Sequence, residues 1–184
     1  MQHKCWMIKW RLHGTANEDL ESDFSAFFSK MPPTVFRARI KKNKNSRLQK
    51  LTVALFDEIA TDDVVFCYQS RKGTLRGLCK VQGKEERPDA EGHRWVRLFP
   101  VINFQPPIGV LRLKEENAQA KNAPWFQPGL PRTLYELSEA AVCMLKDLCL
   151  QGQPLQFANE LNTLLTCCLD SAACRVESTG TGHQ

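Results

Sequence analysis

The chain has 184 residues, 42% hydrophobic and 24% charged, the balance of one folded domain with a sizeable core and room for an appended element. That composition argues against disorder and against a disulfide-stapled miniprotein. Lys and Arg exceed Asp and Glu by 25 to 20, and a net charge of +5 is too small to name a partner, so its distribution matters more.

No apolar run approaches the roughly 20 residues of a membrane-spanning helix. His3 and Lys4 lead into strand-like residues rather than a signal peptide's apolar region, so an intracellular protein without a membrane partner is expected. Lys4 to Leu12, rich in Trp, Met, Ile and Leu, predicts a first strand ended by Gly14. Thr15 to Glu18 has capping-box spacing, and Leu20, Phe24, Phe27 and Phe28 then fall on one helical face until Pro32 and Pro33. Val35 to Lys41 alternates, with Phe36, Ala38 and Ile40 on one side and Arg37, Arg39 and Lys41 on the other. That pattern predicts a half-buried strand with a basic outer face.

Asn43 to Ser46 reads as a flexible loop, and Leu48 to Ile59 fits either a strand and turn or a short helix. Val64 to Gln69 and Leu75 to Val81 flank Ser70-Arg71-Lys72-Gly73, an antiparallel hairpin signal. Trp95 to Phe104 predicts a long strand, with Pro100 marking an edge or bulge and Pro106-Pro107 its end. A short helix is compatible with Ile108 to Lys121, and Thr133 to Leu137 reads as a closing strand. Ser138 is placed to cap a helix over Glu139 to Leu150. Gly152 and Pro154 mark a boundary, after which Leu155, Leu161, Leu164, Leu165 and Cys168 form a helical stripe. These elements predict an α+β fold, a small twisted, mostly antiparallel β-barrel with flanking helices. The domain spans 1–150, and a helical extension with a flexible tail occupies 151–184.

Eight cysteines include no Cys-x-x-Cys pair, and Cys5, Cys67, Cys79 and Cys143 sit in apolar patterns as small hydrophobes. His3, His13, His93 and His183 are scattered without ligand spacing, so neither a metal nor another cofactor is expected.

Read in order, several segments resemble the EVE domain, a member of the PUA-like superfamily that also holds the YTH and ASCH domains. Cys5-Trp6-Met7-Ile8-Lys9-Trp10 is similar to that family's first strand, aromatic-Trp-Leu-x-Lys-Ser. Asp63 to Ser70 is similar to its Gly-Asp-x-Val-x-Phe-Tyr-x-Ser strand, and Leu75 to Val81 to its Ile-x-Gly-x-x-x-Val strand. Pro88-Asp89, Trp95 to Phe104, Pro107-Ile108 and Arg132 to Ser138 follow in the family's order, so the likeness covers about residues 4 to 149. Trp10 departs from the usual Ser, and the basic stretch between Ile40 and Leu51 replaces a segment that normally differs.

The resemblance implies a PUA-like barrel that accepts one unstacked, often modified base of DNA or RNA in an aromatic-edged pocket. Unstacking costs a few kcal/mol, which stacking on aromatic faces at roughly 1–3 kcal/mol each must offset. Tyr68 and Ser70 lie on one strand face at what reads as the hairpin's open end, and the family match sets Lys9 and Trp10 beside Tyr68. Trp10 is the candidate stacking wall and Trp125, in a Pro-rich loop, a candidate second one, and Gln127 and Arg132 could bond a base or phosphate.

Phe36 to Lys50 holds seven basic residues and no acidic one. Arg37, Arg39, Lys41, Lys42 and Lys44 are therefore the expected phosphate contacts, extended by Arg71 and Lys72 at the hairpin tip. No nucleophile, paired-carboxylate or Gly-rich phosphate motif stands out, so binding rather than catalysis is expected. The alternatives are an ASCH-like nucleoside-directed enzyme using Lys9 and Glu136, or a protein-interaction or oligomerisation module that pairs with another chain through the stripe within 155–170.

Overall fold

The computed structural model describes residues 3–10, 36–40, 44, 46–70, 73–110, 123–126, 133–151, 155–166 and 168–169. Among them one sheet is built from β1 (Cys5–Trp10), β2 (Phe36–Ile40), β3 (Val64–Gln69), β4 (Thr74–Lys84), β5 (Arg94–Gly109) and β6 (Leu134–Glu136). The strand order is β2-β5-β4-β3-β1-β6. Only β1 and β3 run parallel, with Cys5 opposite Val64 and Trp10 opposite Gln69, and the chain between them supplies β2 and the helix α1 (Ser46–Glu58). The other four pairings are antiparallel.

The sheet curls into a half-barrel because strands at both edges bury side chains in one interior. Ala38 and Ile40 of β2 and Leu134 of β6 share a cluster with Trp6, Ile8, Val65 and Val96. Phe56 and Ile59, at and just beyond the end of α1, fill it. Thr52 and Phe56 are the buried residues of α1, a helix within the span whose pattern also fitted a strand. Its last carbonyls, Phe56 O and Asp57 O, accept from Lys84 Nζ at 3.0 and 2.6 Å, a cation where the helix terminus favours one.

The second core lies on the opposite face of β1 and β3. Helices α2 (Glu139–Leu150) and α3 (Leu155–Thr166) pack there on Met7, Phe66, Leu78 and Phe104. Ser138 caps α2 by accepting from the Ala141 N–H at 3.3 Å. The apolar stripe of α3 belongs to this same core: Leu161 and Leu165 are fully buried, Leu164 and Cys168 nearly so. The sequence offers this stripe for pairing with another chain; the structure buries it in the chain's own core against the sheet. The extension after residue 150 therefore contributes to the domain rather than standing apart from it.

A bulge decides which core β5 serves. Cys79 pairs with Pro100 and Leu78 with Ile102, leaving Val101 as an extra residue in β5. One added residue exchanges the faces of a strand. Val96 and Leu98 thus fill the barrel while Ile102 and Phe104 face the helices. Pro106 and Pro107 do not end β5, because Ile108 and Gly109 still pair with Leu75 and Thr74. The pairing skips from Asn103 to Ile108, so two residues lacking N–H groups cost no ladder bond there.

The β3–β4 hairpin matches its sequence signal, and Gly73 at φ 62° occupies the left-handed region that a Cβ disfavours. Six of the cysteines lie among the described residues and are free thiols. No helix among the described residues is long and apolar enough to cross a membrane, and no metal-binding cluster occurs among them. The capping-box helix before Pro32 and the segment 111–122 lie outside the described residues.

Candidate functional site

A buried carboxylate fixes the chain around β1 and β3. Asp63, 3% exposed, accepts from the Lys4 N–H at 2.9 Å, the Ala60 N–H at 2.9 Å and the Trp6 indole at 2.7 Å. The bond from Trp6 to Asp63 is therefore structural, and it leaves the far ends of the two strands in register.

At those ends Lys9 stands opposite Tyr68. Tyr68 and Gln69 pair with Leu75 and Thr74, so they lie at the turn end of the hairpin and not its open end. Lys9 is 8% and Tyr68 3% exposed, and burial pushes the Tyr68 hydroxyl's pKa up, keeping it a neutral donor. The Tyr68 ring meets Phe126 edge-on at 5.2 Å, and Phe126 meets Trp125 at 6.1 Å. Both come from the 3-10 turn Pro124–Phe126.

Strands β1 and β3 thus set Lys9 beside Tyr68, and a turn more than fifty residues further on sets Phe126 against Tyr68 with Trp125 next to it in the chain. Phe126, which links them, carried no periodic signal in its irregular segment. Trp125 is a buried residue at 9% exposure, not a free loop wall, and its indole Nε1 has no acceptor among the described residues. A buried donor without a partner costs about 1–3 kcal/mol. An acceptor delivered to that atom would recover it.

The remaining pocket candidates separate. The register sets Trp10 beside Gln69 rather than beside Tyr68. Ser70 is half-buried in the turn after β3, and Gln127 lies outside the described residues. The catalytic alternative fares no better: Glu136 pairs with Trp6 on the barrel side and binds Lys4 Nζ at 2.9 Å, whereas Lys9 alternates to the other face with Met7. The register therefore sets the two side chains on opposite faces of the sheet.

The basic strand face is as the alternation implies, with Ala38 and Ile40 inside and Arg37 exposed. Arg37 is nevertheless committed: its guanidinium forms two bonds to Glu85, at 2.7 and 2.9 Å, and stacks 4.3 Å above Trp95. Trp95 is held in turn, its indole donating to Asp89 Oδ2 at 3.1 Å, while Asp89 Oδ1 accepts from the N–H groups of Glu91 and His93. Desolvation opposes ionisation of Asp89, but the bonds from His93 and Trp95 outweigh it and hold the carboxyl below its usual range. The Pro88-Asp89 motif is a loop clamp that steadies the platform under Arg37.

Arg39 is half-buried and Lys44 exposed, and neither has an ion-pair partner among the described residues. Lys41, Lys42, Arg71, Lys72 and Arg132 lie outside the described residues.

No family model matches the chain, and no curated protein does. Among solved structures the chain is similar to a Pseudomonas syringae protein at a TM-score of 0.51 and 17% identity, over 79% of this chain and 99% of that one. It is also similar to a Pseudomonas putida protein at a TM-score of 0.53 and 14% identity, again over 79% and 99%. At these identities the likeness concerns the fold, a curled α+β half-barrel.

Proposed function

We propose that the chain is a PUA-like, EVE-type module that binds nucleic acid inside the cell and reads one extruded base without transforming it. The observation that carries this reading is the buried Trp125 indole donor, which has no acceptor among the described residues and sits on the turn that seats Phe126 against Tyr68. Such a donor suits the carbonyl or ring nitrogen of a base edge, and a modified base, already costly to keep stacked, is the natural occupant. Phosphates on either side then need cations, which the outer face of β2 offers.

The reading is tested with a panel of short oligonucleotides, each carrying one modified base, competed against the unmodified strand. At least one modification should bind about tenfold tighter, a difference of about 1.4 kcal/mol. Trp125→Phe, which removes the indole donor while keeping an aromatic ring, should abolish that preference and spare binding of the unmodified strand. Equal affinity across the panel would refute base reading.

A further inference from the structure

Among the described residues some cations are matched by carboxylates or carbonyls and others are not. Lys4 is met by Glu58 and Glu136 at 2.6 and 2.9 Å, Arg94 by Asp57 at 3.7 Å, and Lys84 by the α1 carbonyls. Arg39, Arg97 and Lys80 have no ion-pair partner among the described residues, and all three project from the outer face of β2, β5 and β4.

Their positions follow from the register. Arg39 lies opposite Trp95, Arg97 opposite Arg37, and Lys80 opposite Phe99. Along β5 these are successive steps of two residues, so the three cations fall on one diagonal across three strands, about 7–8 Å between neighbours. Two arginines directly opposed, Arg37 and Arg97, repel one another. The nearby carboxylates do not relieve Arg97, because Glu85 is taken by Arg37 and Asp89 by Trp95 and His93. Gly83, at φ 151°, lets the Arg97 guanidinium rest on the sheet, where a Cβ would stand 2.8 Å from its Nη2.

We infer that this diagonal is the track for the backbone of a single-stranded nucleic acid, with Arg39, Arg97 and Lys80 each taking a phosphate. The inference rests on the nucleic-acid reading above and adds the path of the strand and its single-stranded form. Charge complementarity selects a polyanion. Phe99, half-buried opposite Lys80 and two residues beyond Arg97 on β5, selects an unpaired strand, since a ring between two phosphate sites can stack only on a base that has left a duplex.

The test uses the full chain with fluorescent single-stranded and duplex oligonucleotides of unmodified sequence, titrated at 50 and 200 mM salt. The double variant Arg39→Gln with Arg97→Gln should lower the salt slope by about 1.4, at about 0.7 for each single-strand phosphate contact. Wild-type affinity should therefore fall about sevenfold more than the variant's across that salt range. Lys146→Gln, which removes one charge on α2, should behave as wild type, and Phe99→Ala should weaken the single strand but not the duplex. An unchanged slope in the double variant, or equal wild-type affinity for duplex, overturns this track while leaving the pocket reading intact. Absence of wild-type binding at 50 mM overturns both.

Discussion

Replacing Asp63 with Ala removes the acceptor of three donors at once. Trp6 is wholly buried and Asp63 nearly so, so the indole would be left without a partner out of reach of water. The amides of Lys4 and Ala60 are only partly buried and would recover part of their loss by hydration. A stranded buried donor costs about 1–3 kcal/mol and a bond to a charged acceptor about 1.5–3, which puts the total loss at about 3–5 kcal/mol. Against a domain stability of about 5–15 kcal/mol that is a large fraction. With a urea m-value near 2 kcal/mol/M, the midpoint should fall by about 1.5–2.5 M. Asp63→Asn keeps one acceptor oxygen and should lose about half as much. Trp6→Phe should lessen the cost of Asp63→Ala by at least about 1 kcal/mol in a double-mutant cycle. A midpoint shift under about 0.3 M for Asp63→Ala would show that the carboxylate does not hold β1, β3 and the preceding turn together.

Four further outcomes follow. Ending the chain after Gln151 strips Leu161, Leu164 and Leu165 from the core; at about 1.5–3 kcal/mol per buried side chain, the shortened chain should lose its cooperative thermal transition, and retention of it would contradict the packing of α3. Glu85→Gln frees the Arg37 guanidinium and should steepen the salt dependence of single-strand binding by about 0.7, where a flatter slope would contradict the role given to Glu85. Burial raises the pKa of the Cys149 thiol, so the folded state keeps a proton that the unfolded chain gives up above about pH 8.5. Stability should then decline as pH rises past that point, by at most about 1.4 kcal/mol per pH unit for this thiol, and parallel pH profiles for wild type and Cys149→Ala would refute the assignment. Lys84→Met removes the donor to the last α1 carbonyls and should cost about 1 kcal/mol in urea unfolding; no change would show that the contact is incidental.

Local chemistry made some elements legible in the sequence, and distance hid others. The alternation of Arg37 to Ile40, the Gly73 hairpin and the Ser138 cap each concern neighbours within a few residues, and each appears where its pattern puts it. The parallel pairing of β1 with β3 joins residues nearly sixty apart, and nothing local in either strand specifies it. Two misreadings have physical causes. A proline pair usually closes a strand because it lacks N–H donors, but between Asn103 and Ile108 no ladder bond needs them. An apolar stripe on α3 says that something covers the helix without saying what, and here the cover is the chain's own sheet.

The candidate site was legible only in part. Lys9, Tyr68 and Trp125 were identifiable by type and place, whereas Phe126 sits in an irregular turn without periodicity. The pairing of Arg37 with Glu85, and the unmatched state of Arg97 and Lys80, depend on cross-strand register. A count of basic residues along Phe36 to Lys50 therefore puts positive charge on one face of β2 but does not say which of those charges lack a partner.

The indole N–H resonances of the four tryptophans offer the most direct test of the central claim. In a two-dimensional amide spectrum of the full chain, an oligonucleotide bearing the preferred modified base should shift the Trp125 indole signal strongly, because its donor gains an acceptor. The Trp6 signal should stay in place, held by Asp63. A Trp125 signal that does not move, or that moves equally with the unmodified strand, would contradict base reading at this site.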